Sequence, residues 1–203
     1  MNLERGQTLA IVGESGCGKT TLGRTVVGLQ TATNGSMTFE NKLLEGKARN
    51  RSSDVRRRVQ IVFQNPDATL NPQKSIGETI GRPLELFGLA DEKARDARVA
   101  HLLQSDNLPA HYASRYPHEL SGGEKQRVAI ARAFAAEPDL IVCDEPLSAL
   151  DVSVQAAILN LLVELQRSSN AAYLFISHDL SVVRYLSDQV AVMSVSYTHL
   201  RAH

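Results

Sequence analysis

The sequence is poor in several residue types that mark specialised proteins. Its 203 residues include no tryptophan, 5% aromatic residues and two cysteines, Cys17 and Cys143, which form no C-x-x-C pair. This usage argues against a cysteine-based metal or redox motif and predicts a reducing, cytoplasmic setting. No apolar run approaches the ~18 residues that cross a bilayer, and no signal peptide precedes the first motif. Any membrane role is therefore expected to come through a partner.

The chain also lacks an excess of charge of either sign. Lysine and arginine together number 22, as do aspartate and glutamate, so the formal net charge is +0. Because proteins that coat nucleic acid carry a basic surface, we expect no nucleic-acid partner. The arginines between 49 and 58 are interpreted as a solvated turn before a strand. The 43% hydrophobic content is enough for a sizeable core.

Short apolar runs alternate with helical patterns along most of the chain. The runs end at glycine or polar residues and are typical of strands buried on both faces of a parallel sheet. They cover 9–12, 59–63, 140–143, 173–176 and 190–193. Helical spacing of apolar residues is found at 20–29, 124–136 and 154–166. This alternation predicts an α/β layered domain.

The stretch from residue 66 to residue 126 has a different pattern. It carries helical patterns at 76–87 and 91–103, interrupted by prolines, and no convincing strand. We expect it to form an α-helical subdomain inserted into the α/β core. The predicted organisation is a single domain over 1–203, with the core at 1–65 and 127–193, the helical subdomain at 66–126 and an atypical tail at 194–203.

The most specific motif follows the first predicted strand. Residues 13–20 read Gly-Glu-Ser-Gly-Cys-Gly-Lys-Thr and fit the pattern G-x-x-x-x-G-K-[ST]. Glycines let backbone N–H groups turn toward phosphate oxygens, and the following helix points its positive end at the same anion. Lys19 adds charge near the β- and γ-phosphates, and the Thr20 hydroxyl can bind Mg²⁺. The predicted nucleotide contacts of this loop are Gly13, Glu14, Ser15, Gly16, Cys17, Gly18, Lys19, Thr20 and Thr21.

Two carboxylates follow the apolar run at 140–143. Asp144 and Glu145 stand at the carboxyl end of a predicted parallel strand, where α/β sheets place ligand contacts. Phosphoryl transfer needs positioned charge for the metal and an orienting group for the nucleophile. Asp144 is therefore predicted to hold Mg²⁺, and Glu145 to polarise the attacking water. Alone, the pair also fits an acidic turn before Pro146, and the phosphate loop favours the catalytic interpretation.

A third motif, Leu-Ser-Gly-Gly-Glu at 120–124, lies between these two. Ser121 is a good helix N-cap, and the two glycines allow close backbone approach, so free N–H groups can form an anion site. The motif and the order of its neighbours along residues 3–193 resemble the ABC ATPase family. This resemblance implies an α/β, P-loop NTPase (RecA-like) layered core with a mainly parallel sheet. It also implies a head-to-tail dimer in which Ser121, Gly122 and Gly123 bind the γ-phosphate held by a second cassette.

The resemblance also assigns roles to residues that are weak signals alone. Gln64 would touch Mg²⁺ and the attacking water, His178 would contact the γ-phosphate, and Asp151 would organise the dimer contact. A single glutamine or histidine after a strand usually has no such role, so these assignments depend on the resemblance. The predicted catalytic residues are Glu145, His178, Lys19 and Gln64, and the predicted metal ligands are Thr20, Gln64 and Asp144.

Three local sequences resemble the dipeptide/oligopeptide importer subfamily, which also includes nickel and glutathione importers. They are Phe-Gln-Asn-Pro at 63–66 with Leu-Asn-Pro at 70–72, Tyr-Pro-His-Glu-Leu-Ser-Gly-Gly at 116–123, and Ser-Ala-Leu-Asp-Val-Ser-Val-Gln at 148–155. The resemblance implies an ATPase that uses ATP and Mg²⁺ to power import from the cytoplasmic face of the cell membrane, as a peripheral subunit. The implied partners are transmembrane permease subunits, a second ABC cassette and, indirectly, a solute-binding protein.

Both ends of the chain depart from the family pattern. Only twelve residues precede Gly13 and none is aromatic, so the expected platform that stacks on adenine is missing. Residues 194–203 match no family pattern, and we expect the chain to be truncated at both ends. Two alternatives to the importer motor stay open. They are a soluble ABC ATPase acting on nucleic acid or ribosomes, and an inactive cassette fragment.

Overall fold

A computed structural model of the chain describes residues 1–194 and, as a strand, Thr198–Leu200. The strands are β1 (Thr8–Gly13), β2 (Thr38–Phe39), β3 (Lys42–Leu43), β4 (Val59–Val62), β5 (Leu140–Asp144), β6 (Ala172–Ile176), β7 (Gln189–Met193) and β8 (Thr198–Leu200). The α-helices are α1 (Lys19–Val26), α2 (Ser53–Arg58), α3 (Ile76–Leu86), α4 (Glu92–Ser105), α5 (Gly122–Phe134), α6 (Val152–Ser169) and α7 (Leu180–Leu186).

Six strands form one mainly parallel sheet. Their order is β4-β5-β6-β1-β7-β8, and only β8 runs antiparallel to its neighbour. Strands β2 and β3 form a separate antiparallel hairpin. The predicted α/β class with a mainly parallel sheet is confirmed, and the five predicted strands end within one residue of the observed ones. Continuous apolar runs were informative here because strands covered on both faces need no polar alternation.

Helices cover both faces of the sheet. Alternate residues of β5 point to opposite sides, with Ile141 and Cys143 in a core beneath α5 and α6, and Val142 in a core beneath α1. The three side chains are fully buried. The two layers hold the carboxyl ends of β4, β5, β6 and β1 at one edge of the sheet, which is where α/β sheets bind ligands.

The chain from Pro66 to Gln126 contains helices and no strand. Helices α3, α4 and α5 pack around their own buried cluster, which includes Ile80, Leu84 and Leu103. Helix α5 crosses the predicted boundary at 126/127 and contributes to two cores, with Val128 in the helical cluster and Ile130 in the sheet core. The division into subdomains therefore stays a prediction. None of the described helices is long and apolar enough to cross a membrane.

The interpretation of the arginines between 49 and 58 as solvated holds for Arg49 and Arg56, which are exposed, and was wrong for Arg51 and Arg58. Arg51 is 6% exposed, and its guanidinium donates to the carbonyl oxygens of Val26 and Glu45, each at 2.7 Å. Arg58 lies at the end of α2 and pairs with Asp139 and Glu40. Arg51 and Arg58 lose exposure because carbonyls and carboxylates from other segments accept their hydrogen bonds, which local sequence does not reveal.

The predicted atypical tail at 194–203 lies largely outside the described residues. Residues 195–197 and 201–203 are not described, and no outcome is assigned to the prediction there. Within the tail, β8 pairs with β7 from Ala191 to Met193.

Candidate functional site

The predicted site residues of the core converge on one edge of the sheet. The loop 13–20 follows β1, Gln64 lies just beyond β4, Glu145 follows β5, and His178 follows β6. Strands β4, β5, β6 and β1 are consecutive neighbours and run parallel, so their carboxyl ends point the same way. Four segments that are distant in sequence therefore meet at one edge of the sheet.

The loop 13–20 encloses the ammonium group of Lys19. Lys19 Nζ donates to the carbonyl oxygens of Gly13 and Glu14, each at 2.8 Å, and lies 3.8 Å from Cys17 Sγ. Lys19 is the first residue of α1 and is only 6% exposed. Its N-cap, Gly18, offers no side-chain cap, so the first N–H groups of α1 stay available to an anion. The charge and these donors are groups that could hold a phosphate.

Gly13 is required by a close backbone approach. It pairs with Met193 of β7, and a Cβ placed on it would lie 2.0 Å from the Met193 carbonyl oxygen. Any larger residue would push β7 away from β1 at the point where the loop begins. The remaining predicted loop contacts, Glu14, Ser15 and Gly16, are exposed, as is Thr21 on α1.

Thr20 and Asp144 are in direct contact. The Thr20 hydroxyl donates to Asp144 Oδ1 at 2.9 Å, although one residue lies on α1 and the other ends β5. Asp144 is 4% exposed, and this burial raises the pKa of its carboxyl group, with the Thr20 hydrogen bond and Arg24 acting in the opposite direction. Hydroxyl and carboxylate oxygens are ligands that Mg²⁺ prefers, so this pair fits a magnesium ion. Gln64, the third predicted ligand, makes no hydrogen bond to either residue in the described chain.

Glu145 and His178 form a second pair at this edge. Glu145 Oε2 lies 3.1 Å from His178 Nδ1. Glu145 has a positive φ of 47°, and its N–H donates to the Ile176 carbonyl of β6 at 3.0 Å. A left-handed backbone costs a non-glycine residue roughly 1–2 kcal/mol, so this conformation is held by its surroundings. The result is a carboxylate directed toward the residue that follows the neighbouring strand.

Gln64 is oriented by a residue that the sequence interpretation did not single out. Gln64 Nε2 donates to Ser148 Oγ at 3.0 Å, and Ser148 Oγ donates in turn to the Glu145 carbonyl at 3.1 Å. Ser148 was noticed only as part of the Ser-Ala-Leu-Asp segment. No sequence signal distinguishes it, because its importance depends on a strand-end residue 84 positions away.

The predicted signature residues begin α5, as expected. Ser121 is the N-cap, and its hydroxyl accepts from the Glu124 N–H at 3.4 Å, while Glu124 Oε2 accepts from the Ser121 N–H at 2.8 Å. Tyr112 donates to the other Glu124 oxygen at 2.8 Å. This is a capping box, which satisfies two N–H groups and holds the helix start in place.

The signature lies apart from the phosphate loop within one chain. Among the described residues, no hydrogen bond or ion pair joins Ser121, Gly122 or Gly123 to the loop 13–20. Gly123 instead contacts α6 so closely that a Cβ would lie 2.5 Å from Val154. Asp151, the N-cap of α6, makes no side-chain capping bond and is exposed. The structure therefore presents two separate parts of the predicted nucleotide site.

Comparison with known proteins agrees with this geometry. Residues 1–148 match the family model described as ABC transporter. The chain is 46% identical over 194 residues to the oligopeptide transport ATP-binding protein OppF of Bacillus subtilis (strain 168), covering 95% of this chain and 64% of that protein. It is 47% identical over 192 residues to the dipeptide transport ATP-binding protein DppF of Haemophilus influenzae, covering 94% of this chain and 58% of that protein. The chain thus spans about three fifths of the length of these relatives.

Two solved structures have the same fold over the whole chain. One is cbiO1 from Clostridium perfringens, described as part of the ABC transporter complex cbiONQ, with a TM-score of 0.85, 31% identity and 79% of that chain covered. The other is a dimeric post-hydrolysis state of the ATP-binding cassette MJ0796 bound to ADP and Pi, with a TM-score of 0.83, 28% identity and 89% of that chain covered. Each comparison covers 100% of the chain described here.

Proposed function

The chain belongs to the ABC transporter family, and on that premise we propose that it binds and hydrolyses ATP with Mg²⁺ as the motor subunit of a peptide importer. The observation that carries this proposal is the convergence of Lys19, Asp144, Glu145 and His178 at one sheet edge. Each of these residues supplies a different part of phosphoryl-transfer chemistry.

Nucleotide binding is assigned to the loop 13–20 and the start of α1. Lys19, buried within the loop, supplies a fixed positive charge, and the uncapped N–H groups of α1 supply directed donors. The contact between Thr20 and Asp144 marks the two oxygens that would hold Mg²⁺, with Gln64 as a further ligand. When bound, Mg²⁺ neutralises charge on the phosphates.

Hydrolysis is assigned to Glu145 and His178. A carboxylate that accepts a hydrogen bond from a water molecule makes that water more nucleophilic and fixes the direction from which the water attacks. Glu145 is suited to this role because its side chain is 19% exposed and its position is set by β5 and β6. His178 holds the carboxylate through Nδ1 and, in its protonated form with a proton on each ring nitrogen, can also donate to a phosphate oxygen from Nε2.

Dimerisation is the proposed way to complete the site. Ser121, Gly122 and Gly123 lie at the N-terminus of α5, and among the described residues they make no hydrogen bond to the loop 13–20. We propose that they bind the γ-phosphate held by a second cassette, with Asp151 at the dimer contact. The dimeric form of the MJ0796 cassette supports this arrangement.

Peptide import is proposed from the relatives that the chain resembles along 94–95% of its length. They are called oligopeptide and dipeptide transport ATP-binding proteins. The proposed partners are transmembrane permease subunits and, indirectly, a solute-binding protein. The proposed location is the cytoplasmic face of the cell membrane, where the chain would bind peripherally.

The experiment that tests the proposal measures the mass of the Glu145→Gln chain by light scattering, with and without MgATP. Glutamine keeps the shape of the side chain but is a poor base, so hydrolysis should fall about 10²–10⁴-fold and ATP should stay bound. We expect the 22.2 kDa chain to double in mass when MgATP is added. Glu145→Gln combined with Lys19→Ala is the matched control and should stay monomeric.

Two other results would favour the alternatives to an importer motor. A monomer in both conditions, with no ATP bound, would favour an inactive cassette fragment. Turnover of the unmodified chain that rises on adding RNA or DNA would favour a soluble ATPase acting on nucleic acid.

A further inference from the structure

Ser148 makes three hydrogen bonds that link two elements of the site. Its hydroxyl accepts from Gln64 Nε2 at 3.0 Å and donates to the Glu145 carbonyl at 3.1 Å. Its backbone N–H donates to the same carbonyl at 3.3 Å. Ser148 also lines a small cleft beside Glu145 and His178. It therefore connects the end of β4 with the end of β5.

These bonds decide which way the Gln64 amide points. A hydroxyl has one proton, and the proton of Ser148 is directed at the Glu145 carbonyl. The hydroxyl can then accept from the Gln64 NH₂ group, but it cannot donate to the Gln64 carbonyl oxygen. The NH₂ end must face Ser148 and the oxygen must face away from it. No described residue donates to that oxygen, so it stays free to bind a cation or a water molecule.

The hydroxyl is not needed to fold the turn that carries it. The backbone N–H of Ser148 already closes the turn on the Glu145 carbonyl. Ser148 is exposed and packs in none of the buried clusters. An alanine at this position would keep the turn and lose only the link to Gln64. The main consequence of the hydrogen bond between the Ser148 hydroxyl and Gln64 is therefore the orientation of the Gln64 amide.

We propose that Ser148 is a positioning residue that presents the Gln64 amide oxygen to Mg²⁺ in the nucleotide site. This inference rests on the proposed function, because Gln64 needs a metal–nucleotide complex on which to act. Without the hydroxyl, the Gln64 amide can rotate and present its NH₂ group, which cannot bind a cation. Ser148 acts through Gln64 and not on the nucleotide itself.

The test measures the affinity for a non-hydrolysable ATP analogue, in Mg²⁺ and again in EDTA, for four variants. These are Ser148→Ala, Ser148→Thr, Gln64→Ala and the double variant Ser148→Ala with Gln64→Ala. In Ser148→Ala we expect the gain in affinity from Mg²⁺ to fall about three- to tenfold, the range for one hydrogen bond, with affinity in EDTA unchanged. Ser148→Thr keeps a hydroxyl and should keep the full gain.

The double variant separates positioning from a general structural effect. If Ser148 acts through Gln64, removing its hydroxyl should change nothing further in the Gln64→Ala chain. The inference about Ser148 would be overturned if Ser148→Ala kept the full gain in affinity from Mg²⁺, or if the losses were additive in the double variant. The proposed function would stand in both cases. If the unmodified chain fails to bind the analogue with Mg²⁺, the proposed function fails, and this inference fails with it.

Discussion

Glu145 Oε2 lies 3.1 Å from His178 Nδ1, although 33 positions separate the two residues in sequence. The contact exists because β5 and β6 are neighbours and both residues follow the carboxyl ends of these strands. The left-handed backbone of Glu145 directs the carboxylate toward His178. Two polar groups that we propose to serve one reaction are thereby held together by the fold.

We expect His178→Ala to abolish most ATP hydrolysis while ATP binding persists. The imidazole positions the Glu145 carboxylate and is placed to donate to a phosphate oxygen, and removing such a donor costs about 10²–10³-fold in kcat. Phosphate release at saturating MgATP measures the loss. His101→Ala is the matched control, since His101 is exposed on α4 away from the site, and it should keep full turnover. Near-normal turnover in His178→Ala would contradict the role assigned to His178.

Ser121→Arg should leave ATP binding by the single chain intact and prevent dimerisation. The N-terminus of α5 would carry a bulky side chain where the γ-phosphate of a second chain is proposed to bind. The change is made in the Glu145→Gln chain, and mass is measured by light scattering with MgATP. Ser168→Arg introduces the same side chain at an exposed position near the end of α6 and should dimerise normally. A dimer that survives Ser121→Arg would argue against this site.

Asp106 should make the fold less stable as pH rises. It is fully buried after α4, and neither carboxylate oxygen has a hydrogen-bond partner among the described residues. Burial raises the pKa of this carboxyl to about 8, with Arg127 acting in the opposite direction. An unfolded aspartate titrates near ~3.9, so between these values the folded chain holds a proton that the unfolded chain has released. The free energy of unfolding therefore falls as pH rises from about 4 to about 8.

Asp106→Asn tests this because it keeps the shape and removes the titration. We expect its urea midpoint to depend less on pH, and its free energy of unfolding at pH 8 to rise by about 1–3 kcal/mol. Asp96→Asn changes an exposed carboxylate on α4 and should shift stability by no more than about 0.5 kcal/mol. An unchanged pH slope in Asp106→Asn would show that Asp106 does not carry the effect.

N-Ethylmaleimide should label Cys17 and not Cys143. The Cys143 side chain is fully buried, and burial raises the pKa of its thiol, whereas Cys17 is half-buried in the loop and 3.8 Å from Lys19 Nζ. We expect one label by mass spectrometry, loss of ATP binding in the labelled chain, and slower labelling when ATP is bound first. Cys17→Ser should take up no label. ATP binding that survives full labelling would contradict the placement of Cys17 against the phosphates.

Much of the fold could be predicted because its signals are local. Short apolar runs marked β1, β4, β5, β6 and β7 to within one residue, whereas β2, β3 and β8 were not predicted. The motif at 13–20 was recognised from spacing alone. Arg51 and Arg58 were misinterpreted because their partners lie elsewhere in the chain. Arg51 is buried because the carbonyl oxygens of Val26 and Glu45 accept its hydrogen bonds. The sequence around residue 51 does not indicate these partners.

The sequence by itself determined the α/β class, the phosphate loop and the residue types available at each strand end, because these depend on periodicity and on spacing within a few residues. Only the tertiary structure decided which of those residues meet. The contacts of Thr20 with Asp144 and of Gln64 with Ser148 depend on strand order and on parallel register. Strand order follows from how the whole core packs, and no segment of about ten residues contains that information.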